Sequence, residues 1–564
     1  MGERPHAWEK SYPPGVRWDA PIKTSTLQEL LDTAVAAHGE RTAFTYRHHK
    51  LTYRAFADLA ARAGAGLMRL GIGRDDGVAL LLPNTPYHPI SFFATLRAGA
   101  RVVHLSALDA ERELIHKLKD SGARTLVTTN LFGLAAKTER LLAAAHIDRV
   151  IVGDDDAWGA AATPPDAFAE RADVIAFAQL LDAPAPARWP DVSRDDIALL
   201  QYTGATTGLP KAAMLTHANL TAAVASYLEW IRAYRRPDAA PDRVILVLPL
   251  FHIYGLCSVM LRHLSCGNEL MLRPRFDVAA VLRDIEVERA TSFPGVPTMW
   301  IALINHPGIE TRDFSSLRVV GSGGAPLPIE VADRVKRIVG LPLPSGWGMT
   351  ETSPAGISPP AGGLPKPGTI GIPLPGITVE IVALDDPRRV LGIGETGELR
   401  IKGANVMQGY WNRPQETAAV MVDGWFLTGD IGFMDDDGYF FLVERKNDVI
   451  ISGGFNVYPV AIEYAIYEHP HVEEVMVIGV PDAYRGEAAK AFVKLRAGAP
   501  ALTLDALRNF LADKLGRHEL PSALELRASL PRTSVGKFAR RQLIEEERRK
   551  ASANRQPELT SGRT

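Results

Sequence analysis

Tyr202–Lys211 reads YTGATTGLPK, between an apolar strand expected at Ile197–Leu200 and a helix expected to start near Asn219. Gly, Thr and Lys packed this densely suit a loop that wraps backbone N–H groups and hydroxyls around a polyphosphate. Gly204 and Gly208 let the backbone approach without a Cβ. Thr203, Thr206 and Thr207 offer hydroxyls, and Lys211 a mobile positive charge. The spacing from Gly204 to Lys211 differs from that of the Walker loop, and Ala212 stands where Ser or Thr would hold magnesium.

Outward from this loop, the first two hundred residues alternate helical and strand patterns. Thr26–Glu29 reads as a capping box for a helix carrying Leu27, Leu30, Leu31 and Val35 on one face, with Gly39 as its stop. Phe56, Leu59, Ala63, Leu67 and Leu70 repeat the pattern and end at Gly71. Val78–Leu82 and Val102–Leu105 read as short buried strands on either side of a helix at Ile90–Ala98. Such alternation predicts an α/β protein whose layered sheets are of the parallel type. Asp154–Asp191, rich in Ala, Pro and Asp, reads as a surface excursion.

From about Gly371 short strands such as Thr378–Val382 and Gly397–Ile401, punctuated by Gly and Pro, predict a β-rich subdomain. After a strand at Phe440–Val443 and a charged connector, Glu444–Asp448, come a strand at Val449–Ser452, the pair Gly453–Gly454 and a helix from Pro459. Strands at Val475–Val480 and Ala491–Lys494 complete a small α+β domain. The expected division is a large N-terminal domain over 1–444, a hinge over 445–448, a small mobile C-terminal domain over 449–545 and a disordered tail over 546–564.

With 564 residues, 46% hydrophobic and 23% charged, the chain has the composition of a multidomain globular protein. A net charge of −2 gives no global attraction for nucleic acid or anionic membrane. Two cysteines, Cys257 and Cys266, make neither a disulfide framework nor a zinc site, which suits a reducing cytosol. The N-terminal MGERPHAWEKSYPPG lacks a signal-peptide core. Val244–Leu261 runs 18 residues without Asp, Glu, Lys or Arg, but Pro249, His252 and Gly255 interrupt it. A buried strand, a turn and a buried helix are expected there in place of a membrane span. The expected location is the cytoplasm, with peripheral membrane attachment open.

Six further segments follow in order. LFHIYG at 250–255 carries His252; GSGGAP at 321–326 is almost bare of side chains; GWGMTETSP at 346–354 places Thr350 and Glu351 behind a small-aromatic-small turn. TGDIG at 428–432 puts Asp430 in a tight loop, RKNDVIISGGFNVYPVAIE spans 445–463, and PRTSVGK at 531–537 presents Lys537. Together with the loop they resemble the ordered core motifs of the adenylate-forming superfamily, which includes acyl-CoA synthetases, luciferases and peptide-synthetase adenylation domains. The resemblance runs from about Leu27 to Leu543 and is closest in look to bacterial medium- and long-chain fatty acid–CoA ligases, through FPGVPTMW at 293–300 and SGGFNVYP at 452–459.

The resemblance implies ATP, Mg²⁺ and CoA. A carboxylate attacks the α-phosphate, giving acyl-AMP and pyrophosphate, and a thiol then displaces AMP; bringing two anions together makes charge stabilisation dominant. By resemblance Lys537 bridges carboxylate and phosphate, Thr350 reaches a phosphate or the adenylate, and Glu351 with Thr206 holds Mg²⁺. Gly323, Gly324 and Ala325 line an adenine slot walled by Trp347 and Gly348. Asp430, helped by Arg445, accepts from the ribose hydroxyls. His252 either gates the acyl site or is a core histidine. The small domain is expected to turn about the connector, the pivot being Asn447 or Asp448, and to present Gly453–Gly454 to the thiol. Departures from the family pattern include Gly204–Ala205 in place of Ser-Gly, Ala212 in place of Gly and Trp347 in place of Tyr.

The expected acyl walls, Ala222, Ala223, Ala225, Phe293, Val296 and Gly321–Gly324, are small or apolar and favour a medium or long alkyl chain. A dicarboxylate fits if its far end reaches solvent or an arginine such as Arg262. An aryl-CoA ligase, a carrier-protein-loading ligase and an inactive nucleotide sensor are the other readings. Lys537 is also expected to be a target of a lysine acetyltransferase and deacetylase, since acetylation removes its charge.

Overall fold

The computed structural model describes residues 5–159, 168, 171–184, 186–203, 210–232, 240–360, 366–452, 455–482, 485–512, 514–532 and 538–553. The chain divides into two compact units: residues 1–379, 400–427 and 436–440 form the first, and residues 380–399, 428–435 and 441–564 the second. The second unit therefore takes in stretches upstream of the 444/445 boundary read from the sequence.

The first unit holds two large sheets. One has eight strands in the order Gly409–Tyr410, Ala212–Thr216, Ile197–Tyr202, Arg101–His104, Gly77–Leu80, Thr125–Thr129, Arg149–Gly153 and Val174–Ala176. Its pairings are parallel from Ile197–Tyr202 to the Val174–Ala176 edge, and the two at the other end are antiparallel. The other sheet has six strands, of which Val319–Ser322, Ser292–Gly295, Arg243–Leu246, Glu269–Leu272 and Thr42–Tyr46 pair in parallel and His49–Thr52 closes a hairpin. Strands buried on both faces read as continuous apolar runs, which is why Val78–Leu82 and Val102–Leu105 stand out in the sequence.

The helices follow their end signals. Thr26 caps Leu27–His38 through a complete capping box with Glu29. Thr216 caps His217–Ile231 in the same way with Asn219, two residues into the helix expected to begin there. Two readings need correction. Part of the 154–191 excursion is structural: Val174–Ala176 forms a sheet edge, and the helix Phe177–Leu181 buries Phe177 and Leu180. Gly66 makes room for it, since a Cβ there would lie 2.6 Å from the Leu180 Cα. A three-residue edge strand inside an Ala/Pro/Asp-rich stretch gives too little periodicity to read. The apolar 244–261 run is a strand and a helix, as expected, but Tyr254–Leu261 is wound as a π-helix. Among the described residues no helix is long and apolar enough to cross a membrane.

The second unit contains a five-stranded sheet ordered Phe455–Val457, Ile450–Ser452, Gly486–Leu495 and Val472–Asp482, with Ala523–Leu526 also pairing to Gly486–Leu495. Its core gathers Ile450, Ile462, Ile466, Val475, Val493, Leu507 and Leu511. The last helix, Arg540–Ala553, runs through residues 546–553, which the sequence reading assigns to a disordered tail. Ion pairs of Arg527 with Glu546 and of Lys490 with Glu547 hold this stretch.

Candidate active site

In the first unit, the parallel strands Ser292–Gly295 and Val319–Ser322 end side by side, with Gly295 opposite Ser322. Crevices beyond the carboxyl ends of such strands are where α/β sheets bind ligands. Gly323, Gly324 and Ala325 follow directly. The Gly323 N–H donates to the Gly295 carbonyl at 3.2 Å, and a Cβ on Gly323 would approach the Tyr254 ring to 3.0 Å. Gly324 adopts φ +77°, a left-handed conformation that glycine takes without strain.

The 346–357 segment folds around Trp347, which exchanges two backbone hydrogen bonds with Ile357, at 2.8 and 2.9 Å. The indole fills the space that a side chain at Gly356 would need, and a Cβ at Gly348 would collide with the Pro354 carbonyl oxygen. Within this loop Thr350–Thr352 makes one 3₁₀ turn, and it carries Glu351 inward to 6% exposure.

A buried carboxylate needs partners. The Tyr410 hydroxyl donates to Glu351 Oε1 at 2.8 Å, and the Met407 N–H donates to the Glu351 carbonyl at 2.8 Å. Lys211 Nζ lies 4.7 Å from the centre of the Tyr410 ring and pairs with Glu416 at 2.7 Å. The fold thus brings Glu351 to the hydroxyl and Lys211 to the ring of one tyrosine, although they are 140 residues apart in sequence. The loop that precedes Lys211 is closed at its base, where the Thr203 N–H donates to the Lys211 carbonyl at 2.8 Å. Gly204, Thr206, Thr207 and Gly208 lie outside the described residues, as do Gly453, Gly454 and Lys537.

His252 is half-buried at the head of the helix Tyr254–Leu261, its Nδ1 accepting from the Tyr254 N–H at 3.2 Å. The neighbouring Phe251 carbonyl accepts from Gln201 Nε2 at 2.8 Å, which ties this turn to the strand leading into the Thr203–Lys211 loop. Gln201 Oε1 in turn accepts from His104, whose burial brings its pKa down to about 4 and keeps it neutral. Of the expected acyl walls, Ala222, Ala223 and Val296 are buried, and Phe293 packs into the core against Trp300.

In the second unit, Asp430 is 4% exposed and its carboxylate lies 2.7 Å from Arg445 Nε. The Asp430 N–H donates to Thr428 Oγ1 at 3.0 Å. Beside it the Gly429 N–H donates to Glu398, which also pairs with Lys446 at 2.8 Å. Glu444, read as the start of the charged connector, is 5% exposed and pairs with Arg540 at 2.9 Å. Arg540 also reaches Asp448 at 3.3 Å and Glu463 at 2.7 Å.

Sequence reasoning missed Tyr410, Glu416, Gln201, Glu398 and Arg540. Each acts through a partner distant in the chain, and none lies in a motif whose composition signals a ligand. Arg540 had the best signal: it stands three residues after Lys537 in a helix that otherwise carries surface charge.

Parallel-sheet ends lined by glycine, with a buried carboxylate and a lysine converging on one tyrosine, define a nucleotide-using α/β enzyme. The chain belongs to the AMP-binding enzyme family: residues 31–411 match the AMP-binding enzyme model and residues 461–537 the AMP-binding enzyme C-terminal domain. It is 38% identical over 556 residues to a long-chain-fatty-acid–CoA ligase of Bacillus subtilis (strain 168), covering 96% of this chain and 98% of that protein. It is also 38% identical over 501 residues to a feruloyl-CoA synthase of an Amycolatopsis species, covering 88% and 94%. Among solved structures, ATP-bound MatB from Rhodopseudomonas palustris superposes with a TM-score of 0.81 at 27% identity, over 92% of this chain and 98% of that one. The protein is an ATP-dependent, adenylate-forming acid–thiol ligase.

Proposed function

We propose that the protein activates a medium- or long-chain fatty acid and transfers it to CoA in the cytoplasm. In the first half-reaction a carboxylate oxygen bonds to the α-phosphorus of ATP, the bond to the β-phosphate bridging oxygen breaks, and pyrophosphate leaves. In the second the CoA sulfur bonds to the acyl carbon, the bond to the AMP oxygen breaks, and AMP leaves. The observation that carries this reading is the cluster Glu351–Tyr410–Lys211, which sets one carboxylate and one ammonium on one tyrosine.

Glu351 fits Mg²⁺, a hard cation that keeps several waters and takes one or two protein carboxylates; a second Glu351 oxygen and the Thr206 hydroxyl are the expected ligands. The ion would neutralise phosphate charge during the transfer. Lys211 contacts the β- and γ-phosphates in this reading, Asp430 and Arg445 hold the ribose, and Thr350 and Lys537 attend the reacting phosphate. The small apolar side chains of Ala222, Ala223 and Val296 support an alkyl substrate. The connector 445–448 would serve as the pivot of the C-terminal domain between half-reactions, and acetylation of Lys537 would stop adenylation.

Consumption of the CoA thiol with Mg-ATP across straight monocarboxylates, benzoate and ferulate tests the substrate class. A maximum within the aliphatic series is expected. Preference for an aromatic acid would overturn the fatty-acid reading and leave the ligase chemistry intact. Pyrophosphate exchange that persists in Lys537-acetylated protein would remove the acetylation proposal.

A further inference from the structure

Tyr254, Ser258 and Arg262 recur at four-residue steps along the π-helix Tyr254–Leu261 and the short helix Arg262–Ser265 that continues it. Tyr254 marks the near end, its ring against Gly323 at the adenylating bend. Ser258 donates to the Tyr227 hydroxyl at 2.9 Å, and Tyr227 comes from the facing helix His217–Ile231, one turn beyond Ala223. The Arg262 guanidinium stands 5.7 Å from the centre of the Tyr227 ring. One of its nitrogens, Nη2, donates to His263 at 2.8 Å, while Nε is buried and unpartnered. His263, buried and beside this cation, has its pKa driven well down and stays neutral, so it adds no second positive charge. Among the described residues Arg262 has no carboxylate partner.

A half-buried cation whose inner donor is left open is costly unless something else completes it. Hydroxyls of Ser258 and Tyr227 beside it make the far end of an otherwise apolar wall polar and positive. We propose that Arg262, with Ser258 and Tyr227, binds the distal carboxylate of a straight-chain α,ω-dicarboxylic acid whose other carboxylate is activated at the Gly323 end. This deepens the acid–CoA ligase reading and rests on it. Eight residues separate Tyr254 from Arg262; since a π-winding rises less than the roughly 1.5 Å per residue of an α-helix, they stand at most about 12 Å apart along the axis, or roughly ten bonds of extended chain at most.

The test compares kcat/KM for decanedioate and decanoate, read as pyrophosphate release, in the wild type, Arg262→Leu, Arg262→Gln and Arg262→Lys. The wild type is expected to turn over decanedioate, and the dicarboxylate-to-monocarboxylate ratio should fall by about thirtyfold or more in Arg262→Leu and Arg262→Gln. Arg262→Lys should fall less, because it keeps the charge and loses the fork. Should Arg262→Leu fail to fold, Arg262→Gln decides. An unchanged ratio in a folded neutral variant, or a wild type that takes monocarboxylates and no dicarboxylate from six to sixteen carbons, overturns the proposal. If neither series releases pyrophosphate, the ligase reading itself falls, and the proposal with it.

Discussion

Arg540 Nη2 lies 2.7 Å from Glu463 Oε1 in the interior of the second unit. The same guanidinium also pairs with Glu444 and Asp448, so one cation serves three carboxylates. Burial, with Glu444 adding to it, pushes the Glu463 pKa up to about 7 despite the arginine. A raised carboxylate pKa means that the native state holds a proton which the unfolded chain has lost between pH 4.5 and 7. Stability is therefore fully present below that window and falls as pH rises through it. Melting temperatures of Glu463→Gln and wild type should diverge with pH. The wild type should lose stability relative to the variant from pH 5 to pH 8, by at most about 3 kcal/mol. Parallel pH profiles would show that Glu463 is ionised throughout.

The Tyr410 hydroxyl is the bond that orients Glu351. Tyr410→Phe keeps the ring under Lys211 and removes only this donor. Adenylation should then need about 10 to 100 times more Mg²⁺ for half-maximal rate, with a stability loss of about 1 kcal/mol. Glu351→Gln should lower kcat at saturating Mg²⁺ as well. Pyrophosphate release titrated with Mg²⁺ separates the two effects.

Lys211 rests on Glu416, a pair whose partners are 32% and 45% exposed. Exposed pairs contribute little to stability, so the pair acts chiefly as a competitor for the lysine. Glu416→Gln is expected to leave the melting temperature within about a degree or two and to lower KM for ATP several-fold. Lys211→Met should raise that KM by at least about tenfold. A Glu416→Gln enzyme with a raised KM would mean that the glutamate helps to bind nucleotide.

Two glycines of the Trp347 loop differ in what surrounds them. A Cβ on Gly346 would lie 3.2 Å from the Ile357 carbonyl oxygen, a gap that a small shift relieves, whereas one on Gly348 would overlap the Pro354 carbonyl. Gly348→Ala should destabilise by more than about 3 kcal/mol and abolish adenylation, while Gly346→Ala should cost about 1 kcal/mol. Chemical denaturation of both variants measures the difference.

The sequence made the local part of this molecule readable. Thr26–Glu29, Gly71 and the glycine-rich bends each encode their conformation within a few residues, and their order carries the family resemblance. Glu351 was also legible, because its motif places it in a tight turn, whereas Asp430, expected in a tight loop, lies within the strand Trp425–Met434, whose Gly-Asp pair gives no β-type alternation to read. Their partners divide by distance: Arg445 was found beside Asp430 through its motif, whereas Tyr410 reaches Glu351 across 59 residues and only packing reveals it. Glu444 misled for a related reason. A Glu in a charged run reads as solvated, and nothing nearby announces that Arg540, 96 residues on, will draw it inside. The π-winding of Tyr254–Leu261 was invisible because its apolar composition suits either kind of helix.

That winding makes the acid-binding wall sensitive to chain length as well as to residue type. A π-turn holds one residue more than the α-turn it replaces. Deleting a single residue from Tyr254–Leu261 would close one π-turn to an α-turn, which absorbs the deletion within the helix and changes the axial distance from Tyr254 to Arg262. Variation among related enzymes can in this way shift the polar terminus along the wall without substituting either residue, by a codon gained or lost.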